Sequence, residues 1–258
     1  MKTKPLRNVL MIAANLILST RFCAIAADSA PNSASLPGRP RPTNHVQRVM
    51  SGWIVRVDDQ LLATNNSALG ERALKLLEAR LTVIAAVMSE KPLARLRQVP
   101  IQIDLTHGDL GSMTYHPSAE WLRNGGYDTN LAKCVHVPDA AYFASPFETF
   151  RQPMVILHEL AHAYHDQVLG TKEPRILEAW KKFRDSKRYE SVLMNVGDMR
   201  EHYGLVNQEE FFAEMTEAYF GENDFFPFVA SELERAEPEI FALLCDIWGP
   251  LPSKPRRQ

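Results

Sequence analysis

The sequence is poor in cysteine, in long apolar runs and in excess charge of either sign. It contains 3 cysteines in 258 residues, and a chain processed after Cys23 keeps only Cys134 and Cys245. One disulfide and two buried thiols both stay open, because a sequence does not show the separation of two side chains. The formal net charge is −2, which argues against general binding of nucleic acid or of anionic membranes.

The N-terminus has the pattern of a signal peptide. Three basic residues precede a short apolar run at 9–18, and residues 24–26 read Ala-Ile-Ala, a typical cleavage site. We predict a signal peptide at 1–26 and an extracytoplasmic location, secreted or periplasmic. Because the apolar run is too short to cross a bilayer, we expect no stable membrane span after cleavage. The first 26 residues hold four of the 29 basic residues and no acidic ones, so the remainder carries a charge of −6.

The rest of the chain is divided by composition into a linker, one domain and a tail. A stretch rich in Pro, Ser and Asn predicts a disordered linker at 27–45. Residues 46–249 are numerous enough to form one domain with a sizeable core. We divide this domain into an N-terminal lobe at 46–170 and a C-terminal lobe at 171–249. A basic tail at 250–258 completes the chain.

Hydrophobic periodicity predicts an α+β fold. The stretch 99–105 alternates apolar and polar residues, which predicts a half-buried strand. Asn207 is a good N-cap for a helix that ends near residue 221. The predicted helices cover 67–89, 153–169, 175–189, 207–221 and 238–248, the strands cover 53–57, 99–105, 113–115 and 133–137, and a hairpin covers 191–202.

The most informative motif is His158-Glu159-Leu160-Ala161-His162, an H-E-x-x-H pattern. On a helix the two histidines, four residues apart, lie on one face, so both imidazoles can reach one Zn²⁺ ion. Glu159 is then placed to act on a water bound to that ion, as a general base. Apolar residues occupy the opposite face, as expected of a helix that packs on a core and presents its histidines to a cleft.

His165 follows on the same face but is too far along the helix to be the third ligand. Seven residues separate it from His158, which is roughly 10 Å of helix, whereas zinc–nitrogen bonds are about 2 Å long. We therefore predict that His165 lies in the second shell or at the rim of the site.

The helix predicted at 207–221 supplies the candidate third ligand. Glu210, Glu214 and Glu217 share one face of it. We predict that Glu210 binds the metal, with a capping box beside Asn207 as the alternative role. A second glutamate can accept a hydrogen bond from the other ring nitrogen of a ligand histidine. Glu217 is expected to be solvated or in a salt bridge.

The combination of the H-E-x-x-H motif, a later Tyr203 and the sequence E-F-F-A-E at 210–214 resembles the catalytic domain of anthrax-lethal-factor-like metallopeptidases, which include secreted bacterial Pro-Pro endopeptidases. The similarity covers roughly 95–222. It implies a zincin-like fold, in which a small mixed sheet packs on the motif helix and a mainly helical lobe follows. It also implies that Glu210 binds zinc, that Glu214 supports a ligand histidine and that Tyr203 assists the oxyanion. Without the resemblance, Tyr203 would be a packed residue of the hairpin.

The function predicted is therefore that of an exported zinc metallopeptidase acting on a peptide or protein substrate. The alternative is an exported zinc-binding interaction module without activity. A variant of the peptidase prediction is an enzyme that hydrolyses amide bonds in cell-wall peptides. The strand near 135–137 is either an edge that holds an extended substrate or an internal strand. His116, His136 and the aromatic residues at 225–228 are interpreted as packing residues, with a substrate cleft as the alternative. Oligomeric state, cleavage specificity and the role of residues 43–90 stay open.

Overall fold

The computed structural model describes residues 39–252. The predicted signal peptide, the predicted linker as far as residue 38 and the last six residues of the tail lie outside this range. Arg39 forms an ion pair with Asp139 at 2.8 Å, and Arg41 donates to the carbonyl of Gly126 at 2.7 Å. The predicted linker therefore extends too far, because its last residues are fixed by polar contacts that hydrophobic periodicity does not detect.

Five strands form one mixed sheet in the order β1-β2-β3-β5-β4. The pairs β2–β3 and β3–β5 are parallel, and the outer pairs β1–β2 and β4–β5 are antiparallel. The predicted α+β class with a small mixed sheet is thus confirmed. The strands are β1 at His45–Met50, β2 at Trp53–Asp58, β3 at Ile101–Ile103, β4 at Thr114–Tyr115 and β5 at Val135–Val137, and a separate hairpin joins β6 at Val192–Leu193 to β7 at Met199–Arg200.

Helices make up most of the remaining structure. The first six are α1 at Asp59–Leu62, α2 at Ser67–Val87, α3 at Glu90–Leu96, α4 at Ala119–Asn124, α5 at Ala140–Phe143 and α6 at Pro146–Arg151. The rest are α7 at Val155–Tyr164, α8 at Pro174–Asp185, α9 at Gln208–Phe220, α10 at Ala230–Ala236 and α11 at Pro238–Trp248. Among residues 39–252, no helix has both the length and the apolar character needed to cross a membrane.

The long periodic helices and the predicted strands agree with the structure, whereas several short elements were not predicted. The helices α2, α8, α9 and α11 and the hairpin β6–β7 lie where they were predicted, within a few residues at each end. The motif helix α7 begins two residues later than expected and continues as a π-helical turn at His165–Leu169. The strand β1 and the helices α3, α4, α5, α6 and α10 were not predicted, because short elements with strong tertiary contacts have weak periodicity.

The strand β3 corrects a second prediction. It was expected to be half-buried, but Gln102 is 5% exposed and the following Asp104 is fully buried. The polar face of this strand is therefore covered as well as its apolar face. Asp104 accepts hydrogen bonds from three histidines, so side chains and not water satisfy its carboxylate oxygens.

The helix α7 lies at the centre of the domain. It packs on α2, α3 and α9 and on the strands β4 and β5. Nine of its ten residues are buried, and His162 is the exception. Such a helix is held from several sides, so the polar side chains that it carries are fixed in position before any ligand binds.

The two cysteines within residues 39–252 are free thiols. Cys134 is fully buried directly before β5, and burial raises the pKa of its thiol to about 12. Cys245 lies on α11 and is half-buried. Of the two alternatives that the sequence left open, the structure shows unpaired thiols.

Candidate metal centre

Two helices that pack against each other, α7 and α9, bring three predicted ligands together. The Nε2 atom of His158 lies 3.1 Å from Oε2 of Glu210, and Nε2 of His162 lies 3.3 Å from the same oxygen. In a tetrahedral zinc site with bonds of about 2.0–2.1 Å, adjacent ligand atoms are about 3.3 Å apart. The two distances from Glu210 therefore match the spacing of zinc ligands, and the ligand atoms of all three residues lie within 4.8 Å of one another.

Solvent reaches the outer side of this cluster. The side chain of His162 is 16% exposed and that of Glu210 is 19% exposed, whereas that of His158 is 7% exposed. A catalytic zinc ion has three protein ligands and an open fourth position for water. The count of donors and their partial exposure both fit such a site.

Glu210 contacts the histidines with its carboxylate while its backbone is capped. Oδ1 of Asn207 accepts hydrogen bonds from the backbone N–H groups of Glu209 and Glu210, both at 2.8 Å. The carboxylate of Glu210 points to the two imidazoles instead of returning to Asn207 as in a capping box. Burial opposes its ionisation, but the hydrogen bonds from His158 and His162 outweigh burial and hold the pKa of Glu210 well below its ordinary value.

Glu217 is the carboxylate that contacts the second nitrogen of His158. The Nδ1 atom of His158 lies 2.6 Å from Oε1 of Glu217, and Glu217 is 2% exposed. Glu217 is therefore paired with His158 and is not solvated. Of the two roles that the sequence left open, the structure shows the ion pair. The reason is its position two helical turns after Glu210, so the two carboxylates meet opposite nitrogens of one ring.

Glu214 does not occupy the position that the resemblance implied. Its nearest oxygen is 3.8 Å from Nδ1 of His158, which is too long for a hydrogen bond. Both of its carboxylate oxygens are buried without a hydrogen-bond partner within residues 39–252. Burial and the nearby carboxylates of Asp224 and Glu217 raise the pKa of Glu214 well above its ordinary value. Among the described residues, Glu217 therefore holds the ring of His158 by a direct hydrogen bond, and Glu214 does not.

Asp224 is a further buried acid that the sequence did not identify. It is 2% exposed, and burial together with Glu217 raises its pKa to about 7. It follows α9 in a loop, where no regular spacing relates it to the motif. A carboxylate in an otherwise aromatic segment, beside Phe225, was the one signal that could have drawn attention to it.

Glu159 is held by the edge of the sheet. It is 7% exposed, and its Oε2 atom accepts a hydrogen bond of 2.6 Å from the backbone N–H of Tyr115 on β4. Burial raises the pKa of Glu159 above its ordinary value, against the opposing effects of His162 and His158. A carboxylate with a raised pKa, next to the proposed ligands, is a stronger proton acceptor than an ordinary glutamate.

The strand edge beside the centre is β4 and not β5. Val135–Val137 forms the strand β5, which lies between β3 and β4 in the sheet. The alternative of an internal strand is therefore correct for these residues. The edge strand β4 contacts α7.

Tyr203 lies in a short 3-10 turn, Tyr203–Leu205, directly before α9. Its side chain is 40% exposed. Burial and, to a smaller extent, the charge of Glu210 raise the pKa of Tyr203 to about 12. The charge of His158 opposes this shift. The hydroxyl is therefore protonated over the neutral range and lies within the electrostatic field of the centre. No hydrogen bond of this hydroxyl occurs in the described part of the chain.

His165 does not contact the proposed ligands through hydrogen bonds. It is 1% exposed, both ring nitrogens lack a hydrogen-bond partner within 39–252, and its ring packs on Phe212 with centroids 5.1 Å apart. Burial lowers its pKa to about 4. His165 was predicted to lie in the second shell or at the rim. Its burial excludes the rim, and among the described residues no hydrogen bond links it to a proposed ligand.

Three of the other residues considered for a substrate cleft are buried. His116 and His136 lie together, with His116 Nε2 lying 3.2 Å from His136 Nδ1. Phe225 is buried and stacks on His202. These three side chains are therefore not open to a substrate.

Comparison with known proteins identified no relative of this chain. No protein-family model, no curated protein and no solved structure matches the chain.

Proposed function

We propose that the chain is an exported, zinc-dependent metallopeptidase with a zincin-like domain of the glutamate type. One observation carries the proposal: Nε2 of His158, Nε2 of His162 and Oε2 of Glu210 converge with the spacing of zinc ligands, on an H-E-x-x-H helix. The resemblance to lethal-factor-like peptidases in the two helices supports the same reaction. The predicted signal peptide supports action outside the cytoplasm, on a peptide or protein substrate.

The proposed centre needs three protein ligands and an open position, and the residues present fit both requirements. Bound there, Zn²⁺ supplies a water molecule of lowered pKa and a positive charge beside the scissile carbonyl. Glu217 orients His158 through Nδ1, which fixes the tautomer that leaves Nε2 free to coordinate. An imidazole held in this way loses less entropy when it coordinates the ion.

Glu159 is the proposed general base. Its carboxylate takes a proton from the attacking water and passes it to the leaving amine of the peptide bond. The hydrogen bond from the backbone of Tyr115 fixes one carboxylate oxygen, Oε2, and so leaves Oε1 for this transfer. The hydroxyl of Tyr203 donates a hydrogen bond to the oxyanion that develops on the scissile carbonyl.

The experiment that tests the proposal is digestion of a peptide library by the purified chain, with and without a chelator, and by Glu159→Gln. Glutamine keeps the size of the side chain and an oxygen that can accept from Tyr115. We expect cleavage to stop with the chelator, to return with Zn²⁺ and to fall about 100-fold or more in Glu159→Gln. The zinc content of the variant, measured by mass spectrometry of the metal, should equal that of the parent.

Two outcomes would contradict the proposal in different ways. Cleavage by Glu159→Gln at the parental rate would remove Glu159 from the mechanism. Stoichiometric zinc binding without cleavage of any library peptide would favour the zinc-binding interaction module.

A further inference from the structure

A second cluster of imidazoles surrounds one carboxylate, apart from the proposed centre. Asp104 follows β3 and is fully buried. Its Oδ2 atom lies 2.6 Å from Nδ1 of His107 and 2.7 Å from Nε2 of His136, and its Oδ1 atom lies 2.7 Å from Nε2 of His45. Four segments of the chain thus meet at one carboxylate: β1, the end of β3, the loop that follows it and β5.

The chemistry of the donors fits a closed zinc site: ligand atoms of Asp104, His107 and His136 lie within 4.8 Å of one another, and His45 contacts the other oxygen of Asp104. Imidazole and carboxylate together suit Zn²⁺ and related borderline ions, and four-coordinate sites without an open position are structural. The side chains of Asp104 and His136 are fully buried, that of His107 is 5% exposed, and that of His45 is 23% exposed. Water has little access to the inner three donors.

Electrostatics at this cluster favours a bound cation. The contacts of the Asp104 carboxylate among residues 39–252 are three histidines and the amide of Gln102, none of which carries a permanent positive charge. A divalent ion at this position would add a permanent positive charge beside the buried carboxylate.

The support for His136 also resembles that of a metal ligand. One ring nitrogen faces Asp104, and the other, Nδ1, lies 3.2 Å from Nε2 of His116. Ligand histidines commonly hydrogen-bond through their second nitrogen, which orients the ring. His116 in turn stacks on Trp121, with ring centroids 6.1 Å apart, so its own position is constrained.

The spacing of the atoms defines what binding would require. At 2.6–2.7 Å the contacts of His107 and His136 with Asp104 are hydrogen bonds. Ligands of one tetrahedral ion would separate to about 3.3 Å. His107 lies in a loop and His45 is partly exposed, so rotations of these two side chains can supply the change. The competing arrangement is a hydrogen-bonded network that binds no ion.

We propose that Asp104, His107 and His136, completed by His45, bind a structural divalent cation of the zinc class. The ion ties β1 and the loop after β3 to the centre of the sheet, in a domain whose two described cysteines are unpaired. The inference does not depend on peptidase activity, since none of these residues belongs to the proposed catalytic centre.

The test is the zinc stoichiometry of the untagged chain after metal removal, reloading with Zn²⁺ and dialysis. We expect two ions per chain in the parent, one in His162→Ala, one in Asp104→Asn and none when both changes are combined. The matched control Asp139→Asn changes another buried carboxylate, which pairs with Arg39, and should keep two ions.

Thermal unfolding gives a second readout that separates binding from activity. In the His162→Ala background, Zn²⁺ should raise Tm by about 5 °C or more, as expected for a ligand well above its Kd. Adding Asp104→Asn should abolish that shift. A parent that holds one ion, lost with His162→Ala, overturns the proposal even if Asp104→Asn fails to fold. A second ion that persists in both Asp104→Asn and His107→Asn would be adventitious and would overturn it as well.

Discussion

The two histidine–carboxylate clusters differ in spacing and in access to solvent. Around Glu210 the nitrogen–oxygen distances are 3.1 and 3.3 Å and the outer side chains are 16% and 19% exposed. Around Asp104 the distances are 2.6 and 2.7 Å and the inner side chains are at most 5% exposed. We refer to them as the open cluster (His158, His162 and Glu210) and the closed cluster (Asp104, His107, His136 and the partly exposed His45).

The difference shows how similar donors can serve opposite purposes. An open position lets water and substrate approach an ion, which catalysis requires, whereas a closed set gives all its binding energy to the fold. The open cluster also has a base beside it, since Glu159 lies on the same helix turn as His158. In the closed cluster the single carboxylate is itself the centre of the contacts. Function therefore depends on exposure and on neighbouring groups more than on ligand type.

The largest expected effect comes from brief treatment with a chelator. Because the open cluster is accessible, its ion should leave first, and peptide cleavage should be lost while one zinc ion per chain is retained. One equivalent of Zn²⁺ should restore cleavage. Residual activity and zinc content followed over the same time course provide the measurement. Parallel loss of both ions, or retention of activity after the first has left, would break the distinction between the clusters.

The open cluster was more accessible to sequence reasoning than the closed one. His158 and His162 are four residues apart on one helix, and the capped helix α9 carries Glu210, so local spacing was sufficient to group them. The histidines of the closed cluster lie at 45, 107 and 136, with no mutual periodicity, and only the pairing of β1, β2, β3 and β5 brings them together. Long-range register of this kind is not written in any short stretch of sequence.

The support of the open cluster was predicted only in part. The face shared by Glu210, Glu214 and Glu217 follows from helical geometry, but the choice between the last two depends on the rotation of the His158 ring. That rotation is set by the packing of α7 on α9, which sequence spacing does not specify. The burial of His165, at the start of the π-helical turn, was not predicted either.

Removal of the Tyr203 hydroxyl should have the next largest effect. We expect Tyr203→Phe to lower kcat by about 100-fold to 1000-fold, because one donor to the oxyanion is lost, with little change in KM or zinc content. Tyr189→Phe is the matched control, because the hydroxyl of Tyr189 donates to Glu237 instead. Equal rates for Tyr203→Phe and the parent would return Tyr203 to the role of a packing residue.

A smaller effect distinguishes Glu217 from Glu214. Glu217→Gln weakens the hydrogen bond to Nδ1 of His158, so we expect the zinc affinity of the open cluster to fall about 10-fold to 100-fold. Glu214→Gln removes no hydrogen bond in the described residues and should change the affinity less. Competition with a chromophoric chelator measures both. The reverse order would assign the support of His158 to Glu214, as the family resemblance implies.

The smallest effect concerns His202, which lies beside the open cluster with no carboxylate within hydrogen-bond distance. In the closed cluster, three histidines each contact Asp104. The nearest carboxylate oxygen to His202, by contrast, belongs to Glu214 and is 3.9 Å away. Burial alone lowers the pKa of His202 to about 3. In the unfolded chain a histidine has a pKa of about 6.5. The unfolded state therefore binds more protons between these values, and stability falls as the pH decreases below about 6.5.

Two substitutions separate this titration from the local hydrogen bond. The Nδ1 atom of His202 accepts from the backbone N–H of Gly204 at 3.0 Å, and asparagine can accept in its place whereas phenylalanine cannot. Over each pH unit in which only the unfolded state binds the proton, the free energy of unfolding falls by about 1.4 kcal/mol. From pH 6.5 to 4.5 the free energy of unfolding of the parent should therefore fall about 2 kcal/mol further than that of His202→Asn or His202→Phe, measured by urea denaturation. Parallel pH profiles for all three proteins would mean that His202 does not contribute to the acid sensitivity of the fold, which would then depend on other buried histidines such as His116.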